Sequence, residues 1–207
     1  MPDAEQRFYA LMRRDPDGAW RNSPAFSDVR RYSTGLLHKR VQPDAELKRR
    51  WVLFFDVSEH YSRLVTSRFT NFYLMHPTEP GNMGYDDPQR SGNVQWAAST
   101  PADYAMDKRE YFTAANAPNN PQRRTIWAGP YLEPAYGKIL VSALTPVYLG
   151  DEHLATIGSD DLLEDLQTSI LRSDIPGTSH TVFRQDGRTT PVFNDKHLST
   201  NWKECVE

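Results

Sequence analysis

The chain has 207 residues, a formal net charge of −3 and 38% apolar residues, with a mean hydropathy of −0.69. A slightly acidic chain has no bulk electrostatic attraction for nucleic acid. No run approaches the roughly 18 apolar residues that a transmembrane helix requires. The single Cys205 excludes an internal disulfide, and the length suits one sizeable core with or without an appended piece.

The N-terminal region gives only weak indications of secondary structure. Residues 4–14 predict a short amphipathic helix that ends at the turn Asp15-Pro16-Asp17-Gly18. Residues 20–28 are expected to be irregular, and residues 29–38 are expected to form a weak helix. We therefore assign residues 1–42 to an N-terminal helical region and loop.

The clearest helix begins at Pro43-Asp44-Ala45-Glu46, where an early proline and acids in the first turn are both favourable. Apolar residues then recur at helical spacing: Leu47, Trp51, Phe54, Tyr61, Val65 and Phe69. This stripe predicts the buried face of a long helix.

Short strands are expected after this helix. The alternation from Thr70 to Met75 predicts one strand, and residues 94–98 predict another. Between them, the segment from His76 to Arg90 contains three prolines and two glycines. We expect no long regular element there.

The C-terminal half predicts a hairpin that leads into a helix. Residues 139–148 and 153–160 are strand-like runs joined by the turn Leu149-Gly150-Asp151-Glu152. A leucine-rich helix is expected from Asp161 to Leu171.

A boundary is expected near Asp174-Ile175-Pro176-Gly177. Residues 181–183 and 190–193 flank a turn containing Asp186-Gly187, which predicts a further hairpin. Residues 173–207 are therefore either the start of a second module or a C-terminal hairpin tail.

Four side chains have the chemistry of a clamp for a small ligand. The Arg109 guanidinium offers a planar fork of donors that matches a carboxylate or phosphate. Tyr111 and Tyr131 supply hydroxyl groups and apolar walls. The Asp160 carboxylate can accept hydrogen bonds from an ammonium or hydroxyl group.

The two charged members of this set, Arg109 and Asp160, also have purely structural alternatives. Arg109 would then pair with an acid such as Asp107 or Asp160 and close a loop. Asp160 would cap the helix that follows it, with Asp161 as the other candidate cap.

Signatures of enzyme and cofactor chemistry are absent from the sequence. The six histidines are scattered, without a His-Glu-x-x-His motif or a close pair, which argues against a metal site. There is no Gly-x-Ser-x-Gly, no phosphate-binding glycine loop and no Rossmann fingerprint. We expect no metal, no cofactor and no enzymatic activity of the chain itself.

Five short motifs follow one another in order: Arg109-Glu110-Tyr111-Phe112, Trp127-Ala128-Gly129-Pro130-Tyr131, Pro146-Val147, Gly158-Ser159-Asp160 and Leu162-Leu163-Glu164-Asp165-Leu166. This succession resembles the Cache domains, which are extracytoplasmic PAS-like sensor modules of bacterial histidine kinases, chemoreceptors and diguanylate cyclases. The resemblance implies an α+β, PAS-like fold, in which a long N-terminal helix packs on a mixed antiparallel sheet. Residues 43–172 would be the membrane-distal Cache module.

The resemblance also implies a function and a location. The chain would be the periplasmic ligand-sensing part of an inner-membrane receptor, would pass a conformational change to a cytoplasmic histidine kinase or diguanylate cyclase, and is a candidate homodimer. The ligand would be a small carboxylate or amino-acid-like molecule. The implied ligand-binding residues are Arg109, Tyr111, Phe112, Trp127, Tyr131 and Asp160.

One departure from the family pattern concerns the residue after Tyr111. Amino-acid-binding Cache domains usually carry Trp-Tyr there, whereas this chain has Tyr111-Phe112 and so lacks one hydroxyl. Two alternatives therefore remain open. One is a ligand-free module for dimerisation or partner binding, and the other is a small hydrolase that uses Asp160 with Glu133 or Asp86.

Overall fold

The computed structural model describes residues 3–66, 69–91, 96–133, 135, 137–170, 192–194 and 197–199. Within these residues, a long helix packs on an extended antiparallel sheet. The fold is therefore α+β, as the sequence predicts. No helix among these residues is both long and apolar enough to span a bilayer.

The helical layer on one face of the sheet consists of α1 (Ala4–Leu11) and α2 (Ala45–Val65). α2 begins where the Asp44 carboxylate accepts a hydrogen bond of 2.8 Å from the Leu47 backbone N–H, which stabilises the first turn. Four shorter helices follow: α3 (Pro88–Ser91), α4 (Trp96–Ser99), α5 (Glu110–Thr113) and α6 (Leu163–Ile170).

The sheet contains eight of the ten described strands, in the order β1-β2-β3-β5-β4-β8-β7-β6. Every neighbouring pair in it is antiparallel, so the predicted mixed sheet is antiparallel throughout the described part. The strands are β1 (Met12–Arg14), β2 (Trp20–Asn22), β3 (Thr34–Leu37), β4 (Asn71–Met75), β5 (Gly81–Asp86), β6 (Ile126–Glu133), β7 (Lys138–Leu149), β8 (Glu152–Leu162), β9 (Val192–Asn194) and β10 (His197–Ser199).

The predicted hairpin is confirmed as β7 and β8, joined at Gly150 and Asp151. Its pairing continues to Leu140 opposite Leu162. Because Asp161 and Leu162 still belong to the strand, α6 begins at Leu163, two residues later than predicted.

β4 is buried on both faces, and its alternation separates two cores. Phe72 and Leu74 join the core under α1 and α2. Tyr73 and Met75 join a second core, on the opposite face, with residues of α4 and α5. The predicted strand at Thr70 to Met75 is thus confirmed.

Two predictions for the N-terminal region are wrong. Residues 34–37 of the predicted weak helix at 29–38 form β3, and residues 20–22 of the predicted irregular segment form β2. β3 pairs with β2 on one side and with β5 on the other. These long-range pairs satisfy its backbone on both edges and override a weak local helical preference.

The remaining differences concern element boundaries and type. The prediction of a strand at 94–98 is wrong for residues 96–98, the part of that range that the structure describes, because Trp96–Ser99 is helical. The segment from His76 to Arg90 contains β5, a strand of six residues. The helix predicted at 4–14 ends at Leu11 and continues as β1.

The apolar stripe of α2 is fully buried in its first half, and Val65 near its end is partly buried against the same core. Leu47, Trp51 and Phe54 lie in the core, whereas Tyr61 is 56% exposed. The helix ends at Val65, so Phe69 does not belong to it.

β9 and β10 pair antiparallel as a separate two-stranded unit. The boundary predicted at 174–177 and the first strand of the hairpin predicted at 181–193 lie outside the described residues. The division into residues 1–42, 43–172 and 173–207 stays a prediction.

Candidate functional site

A row of polar side chains crosses four neighbouring strands of the sheet. Asp86 on β5 lies opposite Asn71 on β4, and Asp160 on β8 lies opposite Ser142 on β7. Asn71 joins the two pairs, because its Nδ2 donates to Asp160 Oδ2 at 2.7 Å and its Oδ1 accepts from the Asp160 backbone N–H at 2.8 Å.

The other carboxylate oxygen of Asp160 is surrounded by hydroxyl groups. Ser142 Oγ donates to Asp160 Oδ1 at 2.6 Å, and the Tyr73 hydroxyl donates to it at 2.9 Å. The Tyr131 hydroxyl lies 2.7 Å from Ser142 Oγ and 3.5 Å from Asp160 Oδ1. Asp160 is only 5% exposed. These donors therefore take the place of the water molecules that would solvate an ionised carboxylate at the surface.

Tyr73 reaches Asp160 because both of its cross-strand neighbours are glycines, Gly84 on β5 and Gly158 on β8. A Cβ on Gly84 would lie 2.6 Å from Tyr73 Cβ, and a Cβ on Gly158 would overlap the Tyr73 ring. The ring therefore lies across Gly158, with its hydroxyl directed at the residue two positions further along β8.

A cavity of about 30 Å³ lies beside this row, between the sheet and the segment that carries α4 and α5. Its volume is enough for roughly two water molecules. Its lining is rich in aromatic side chains: Phe72, Tyr73, Tyr85, Trp96, Tyr111 and Tyr131. The Tyr111 and Tyr131 rings are tilted against each other with centroids 5.2 Å apart.

Three carboxylates also line the cavity, those of Asp86, Glu133 and Asp160. Glu133, at the end of β6, is 5% exposed, and it accepts a hydrogen bond from the Ala135 backbone N–H at 3.2 Å. Among the residues that the structure describes, no lysine, arginine or histidine lines this cavity.

The Tyr111 hydroxyl is buried without a hydrogen-bond partner among the described residues. Tyr111 is 5% exposed and lines the cavity. Burial raises the pKa of Tyr111 well above its usual value, and the interaction of its hydroxyl with the neighbouring Tyr104 adds to the rise, although that contact does not meet the geometry of a full hydrogen bond. The Tyr111 hydroxyl therefore retains capacity to hydrogen-bond to a molecule in the cavity.

Burial sets the protonation tendencies in the cavity. It raises the pKa of Asp160, although hydrogen bonds from Ser142, Asn71 and Tyr73 oppose the shift. It also raises the pKa of Glu133, where the charge of Asp160 adds to the rise and the positive charge of Arg109 opposes it. Both carboxyl groups therefore gain from a cation placed near them.

The structure brings three of the sequence-predicted site residues together, since Tyr111, Tyr131 and Asp160 all line the cavity. Phe112 is buried in the adjoining core rather than in the lining. Trp127 is 58% exposed on β6 and also lies outside the lining.

Arg109 precedes α5 and is exposed to solvent. Its guanidinium lies over the Tyr104 ring, 5.1 Å from the centroid, and Arg109 does not line the cavity. Asp107 forms ion pairs with Arg40 at 2.9 Å and with Lys108 at 3.6 Å. The role of Arg109 in ligand binding stays a prediction.

Asp160 does not cap α6 in the way that the structural alternative expects, and the alternative that Asp161 is the cap stays a prediction. Asp160 lies within β8, and its carboxylate accepts hydrogen bonds from residues of the neighbouring strands. Asp161 is also in β8, and its Oδ1 accepts from the Leu162 backbone N–H at 3.1 Å. What Asp160 does structurally is to join β4, β7 and β8.

Sequence reasoning missed the partners of Asp160, namely Asn71, Tyr73 and Ser142. Their signal is the two-residue period that places Asn71 and Tyr73 on one face of β4. That period identifies a shared face, but it does not reveal that β4 pairs with a strand 89 positions later in the chain.

A second, more open cleft of about 280 Å³ lies near β1, β2 and α4. Its charged groups already neutralise one another, because Arg21 pairs with Asp15 at 3.1 Å and with Asp17 at 2.9 Å. Arg13 also pairs with Asp15, at 2.9 Å. No group of three or more potential metal ligands occurs in the part of the chain that the structure describes.

No protein-family model matches the sequence, and the search of curated proteins found no significant match. Among solved structures, the chain is similar to the ligand-binding domain of the amino acid chemoreceptor PctB of Pseudomonas aeruginosa PAO1, in complex with L-Arg. That similarity has 22% sequence identity and a TM-score of 0.49, and it covers 71% of this chain and 59% of the PctB chain.

Two further structures are similar at lower scores. The ligand-binding domain of the Campylobacter jejuni chemoreceptor Tlp3, in complex with 4-methylisoleucine, has 14% identity and a TM-score of 0.43, covering 74% of this chain and 60% of that one. The ligand-binding domain of Mlp24 with asparagine has 18% identity and a TM-score of 0.40, covering 70% and 67%.

All three are ligand-binding domains, and PctB and Tlp3 are described as bacterial chemoreceptors. Chemoreceptors are one of the receptor classes that contain the Cache domains named in the sequence analysis. At these identities and TM-scores, the similarities assign neither a family nor a ligand to this chain, which spans about three fifths of the PctB and Tlp3 domains.

Proposed function

We propose that this chain is a ligand-sensing domain that binds a small polar molecule in the cavity beside Asp160. The observation that carries the proposal is the lining of this cavity, in which the buried Tyr111 hydroxyl lies with the carboxyl groups of Asp160 and Glu133. A molecule with an ammonium or hydroxyl group could form hydrogen bonds with these groups.

The size of the cavity suggests how binding would produce a signal. At about 30 Å³, the cavity admits a larger molecule only when part of its wall moves. Trp96 of α4 and Tyr111 of α5 form the wall opposite the sheet, and these helices are only one turn long. Binding would therefore shift the population toward an arrangement in which the α4–α5 segment has moved.

The sensory context is part of the same proposal. The chain would be the periplasmic part of an inner-membrane receptor whose output is a histidine kinase, a diguanylate cyclase or a chemotaxis signal. Residues 43–172 would form the sensor module, and two copies would associate through the region of the long N-terminal helix. The motif succession from Arg109 to Leu166 supports this context.

The hydrolase alternative gains one supporting feature, because Asp86, Glu133 and Asp160 line one cavity. Catalysis by Asp160 is disfavoured, however, since its Oδ1 already accepts hydrogen bonds from Ser142 and Tyr73. A carboxylate so occupied is a poor general base or nucleophile. Turnover of generic ester or glycoside substrates that is lost in Asp160→Asn would establish the hydrolase instead.

The test of ligand sensing is a thermal-shift screen of the full chain against amino acids, small carboxylates, amines and nucleobases. A compound present at about one hundred times its Kd adds roughly 2.7 kcal/mol to the free energy of unfolding, which corresponds to a rise in Tm of roughly 5–10 °C. Asp160→Asn should remove the shift, and Asp165→Asn, on exposed α6 surface, should retain it. No shift with any compound would favour the ligand-free module.

A further inference from the structure

One arginine side chain joins two segments that are far apart in the chain. Arg21, on β2, has a side chain that is 13% exposed. Its Nε donates to the Ala97 carbonyl at 2.8 Å, and its Nη2 donates to the Thr100 carbonyl at 2.9 Å. Its Nη1 forms ion pairs with Asp15 at 3.1 Å and with Asp17 at 2.9 Å. The guanidinium therefore connects the C-terminal end of α4 to the turn between β1 and β2.

The two carbonyl groups belong to a helix that depends on partners from outside. α4 is a single turn, and so short a helix has few internal hydrogen bonds. The Ala97 carbonyl would pair with the N–H four residues later, but that residue is Pro101, which has none. Arg21 supplies the donor instead, from a planar fork that the two aspartates hold in place. It therefore fixes the position of α4 relative to β2.

α4 also separates the small cavity from the larger cleft. Trp96 lines the cavity of about 30 Å³, whereas Ala97 and Ala98 line the cleft of about 280 Å³. Thr34 on β3 lines both spaces. Arg21 lines the cleft, so its hydrogen bonds reach α4 from the side opposite the cavity.

The cleft provides room for the movement that binding of a ligand requires. A molecule larger than about two waters enters the cavity only when part of the wall moves, and α4 carries Trp96 of that wall. On the other side of the cavity, backbone pairing joins β3, β5, β4 and β8 into one sheet. A helix that moves into the cleft displaces solvent rather than close-packed side chains. Such a movement relative to β2 breaks the hydrogen bonds from Arg21 to α4.

We infer that Arg21 is a positioning residue of the sensor, a latch that holds α4 against the cavity until a ligand displaces the helix into the cleft. The inference rests on the proposed ligand-sensing function and specifies what regulates it. When only a fraction of the molecules can bind, the apparent Kd is the intrinsic Kd divided by that fraction. Weakening the latch should therefore tighten ligand binding, which is the opposite of what loss of a binding contact does.

Amide hydrogen exchange of the ligand-free full chain tests the latch. Arg21→Lys keeps the positive charge but replaces the planar fork by a single ammonium, which cannot serve both carbonyl groups and both aspartates. The Thr100 amide, which donates to the Trp96 carbonyl at 2.9 Å, should then exchange about tenfold faster or more. The amides of β7 and β8 should exchange at the wild-type rate.

The matched control is Arg13→Lys, which alters an arginine of the same cleft that pairs with Asp15. This variant should leave the exchange of the Thr100 amide unchanged. Exchange in Arg21→Lys that stays at the wild-type rate, or that rises equally in α4 and in β7 and β8, overturns the inference. An equal rise would mean that the arginine only stabilises the fold as a whole.

Ala98→Leu tests the cleft independently of the arginine. Ala98 is exposed and lines the cleft, so a leucine there occupies the space into which α4 would move. Exchange of the Thr100 amide should become several-fold slower. Because this variant retains Arg21, it still decides if Arg21→Lys does not fold. Unchanged or faster exchange in Ala98→Leu overturns the inference.

Calorimetry connects the latch to ligand sensing. The probes are the amino acids, small carboxylates, amines and nucleobases that raise the Tm of the wild type. Each should bind Arg21→Lys several-fold more tightly than the wild type, and Ala98→Leu more weakly. Equal or weaker binding to Arg21→Lys overturns the latch and leaves ligand sensing in place. If none of these compounds binds the wild type, ligand sensing fails, and the exchange rates decide separately whether Arg21 holds α4.

Discussion

The Tyr73 ring occupies the space that a side chain at Gly158 would require. A Cβ at that position would overlap the ring and lie 2.7 Å from the Tyr73 hydroxyl. The same hydroxyl donates to Asp160, two residues further along β8. The glycine and the aspartate of the Gly158-Ser159-Asp160 motif therefore serve one tyrosine, the first by making room for its ring and the second by accepting its hydrogen bond.

Gly158→Ala should lower the free energy of unfolding by about 1–3 kcal/mol, because the added methyl group forces the Tyr73 ring out of its place. Urea denaturation measures the change. In a Tyr73→Ala background the same substitution should cost much less, since the overlapping ring is gone. Equal costs in both backgrounds would show that the ring is not the cause.

Asp160→Ala should destabilise the protein by about 3 kcal/mol, because it leaves the buried donors of Asn71, Tyr73 and Ser142 without their acceptor. The comparison is Asp165→Ala, whose carboxylate is half exposed and whose removal should change stability by less than about 0.5 kcal/mol. Similar losses at the two positions would contradict the assigned role of the Asp160 network.

His76 should make the protein less stable in acid. Burial lowers the pKa of His76 to about 4 from an ordinary value of 6.5, and its Nδ1 accepts backbone N–H groups from Thr78 and Glu79. A depressed pKa in the folded state means that the contribution is complete above pH 6.5 and is lost as the pH falls toward 4.

The loss attributable to His76 should be about 2 kcal/mol after allowance for its partial exposure. His76→Asn retains an acceptor but does not titrate, so its stability should fall less between pH 7 and pH 4 than that of the wild type. Parallel stability curves for the two proteins, measured by urea denaturation across this range, would exclude His76 as the titrating group.

Binding of an ammonium-bearing ligand beside Asp160 and Glu133 should strengthen as the pH rises. Since burial raises the pKa of both Asp160 and Glu133, a fraction of each is protonated at low pH and must ionise to hold a cation. The tyrosines stay neutral, because burial raises the pKa of Tyr73, Tyr111 and Tyr131 well above the usual value.

Calorimetry at pH 5 and pH 8 should therefore give tighter binding of such a ligand at the higher pH, with a smaller difference in Glu133→Gln. Tighter binding at pH 5 would mean that the ligand prefers the protonated cavity. That outcome is expected of a carboxylate rather than an amine.

Arg109→Ala separates the sequence-based view of the site from the cavity-based one. The side chain is exposed and lies over the Tyr104 ring, so its removal should leave the Tm nearly unchanged and the affinity for a ligand found in the thermal-shift screen within about twofold of the wild type. A binding loss greater than tenfold, with the fold intact, would instead assign ligand anchoring to Arg109.

Local patterns predicted the parts of the fold that local chemistry determines. The early proline, the acids of the first turn and the apolar spacing indicate α2, and two apolar runs around Leu149-Gly150-Asp151-Glu152 indicate the β7–β8 hairpin. β3 was inaccessible to the same reasoning, because its strand character comes from pairing with β2 and β5, which a sequence window of ten residues does not contain.

The same distinction between local patterns and long-range strand pairing applies to the residues of the site. Tyr111, Tyr131 and Asp160 follow from motif chemistry, whereas Asn71 and Ser142 enter only through the pairing of β4 and β7 with β8. Residue type alone also suggested Arg109, since an arginine beside aromatic residues can anchor an anion. Its exposure depends on how the residues before α5 pack, which the motif does not determine.

The polar row across the sheet also governs how the strands are aligned. A slip of β4 against β8 by two residues would keep each apolar side chain on its own face, so apolar burial alone tolerates that misalignment. The slipped arrangement would separate Asn71 from Asp160 and place Tyr73 opposite a residue with a side chain. The buried carboxylate thus fixes the register of β4 against β8, selecting one alignment between two segments that are far apart in the chain.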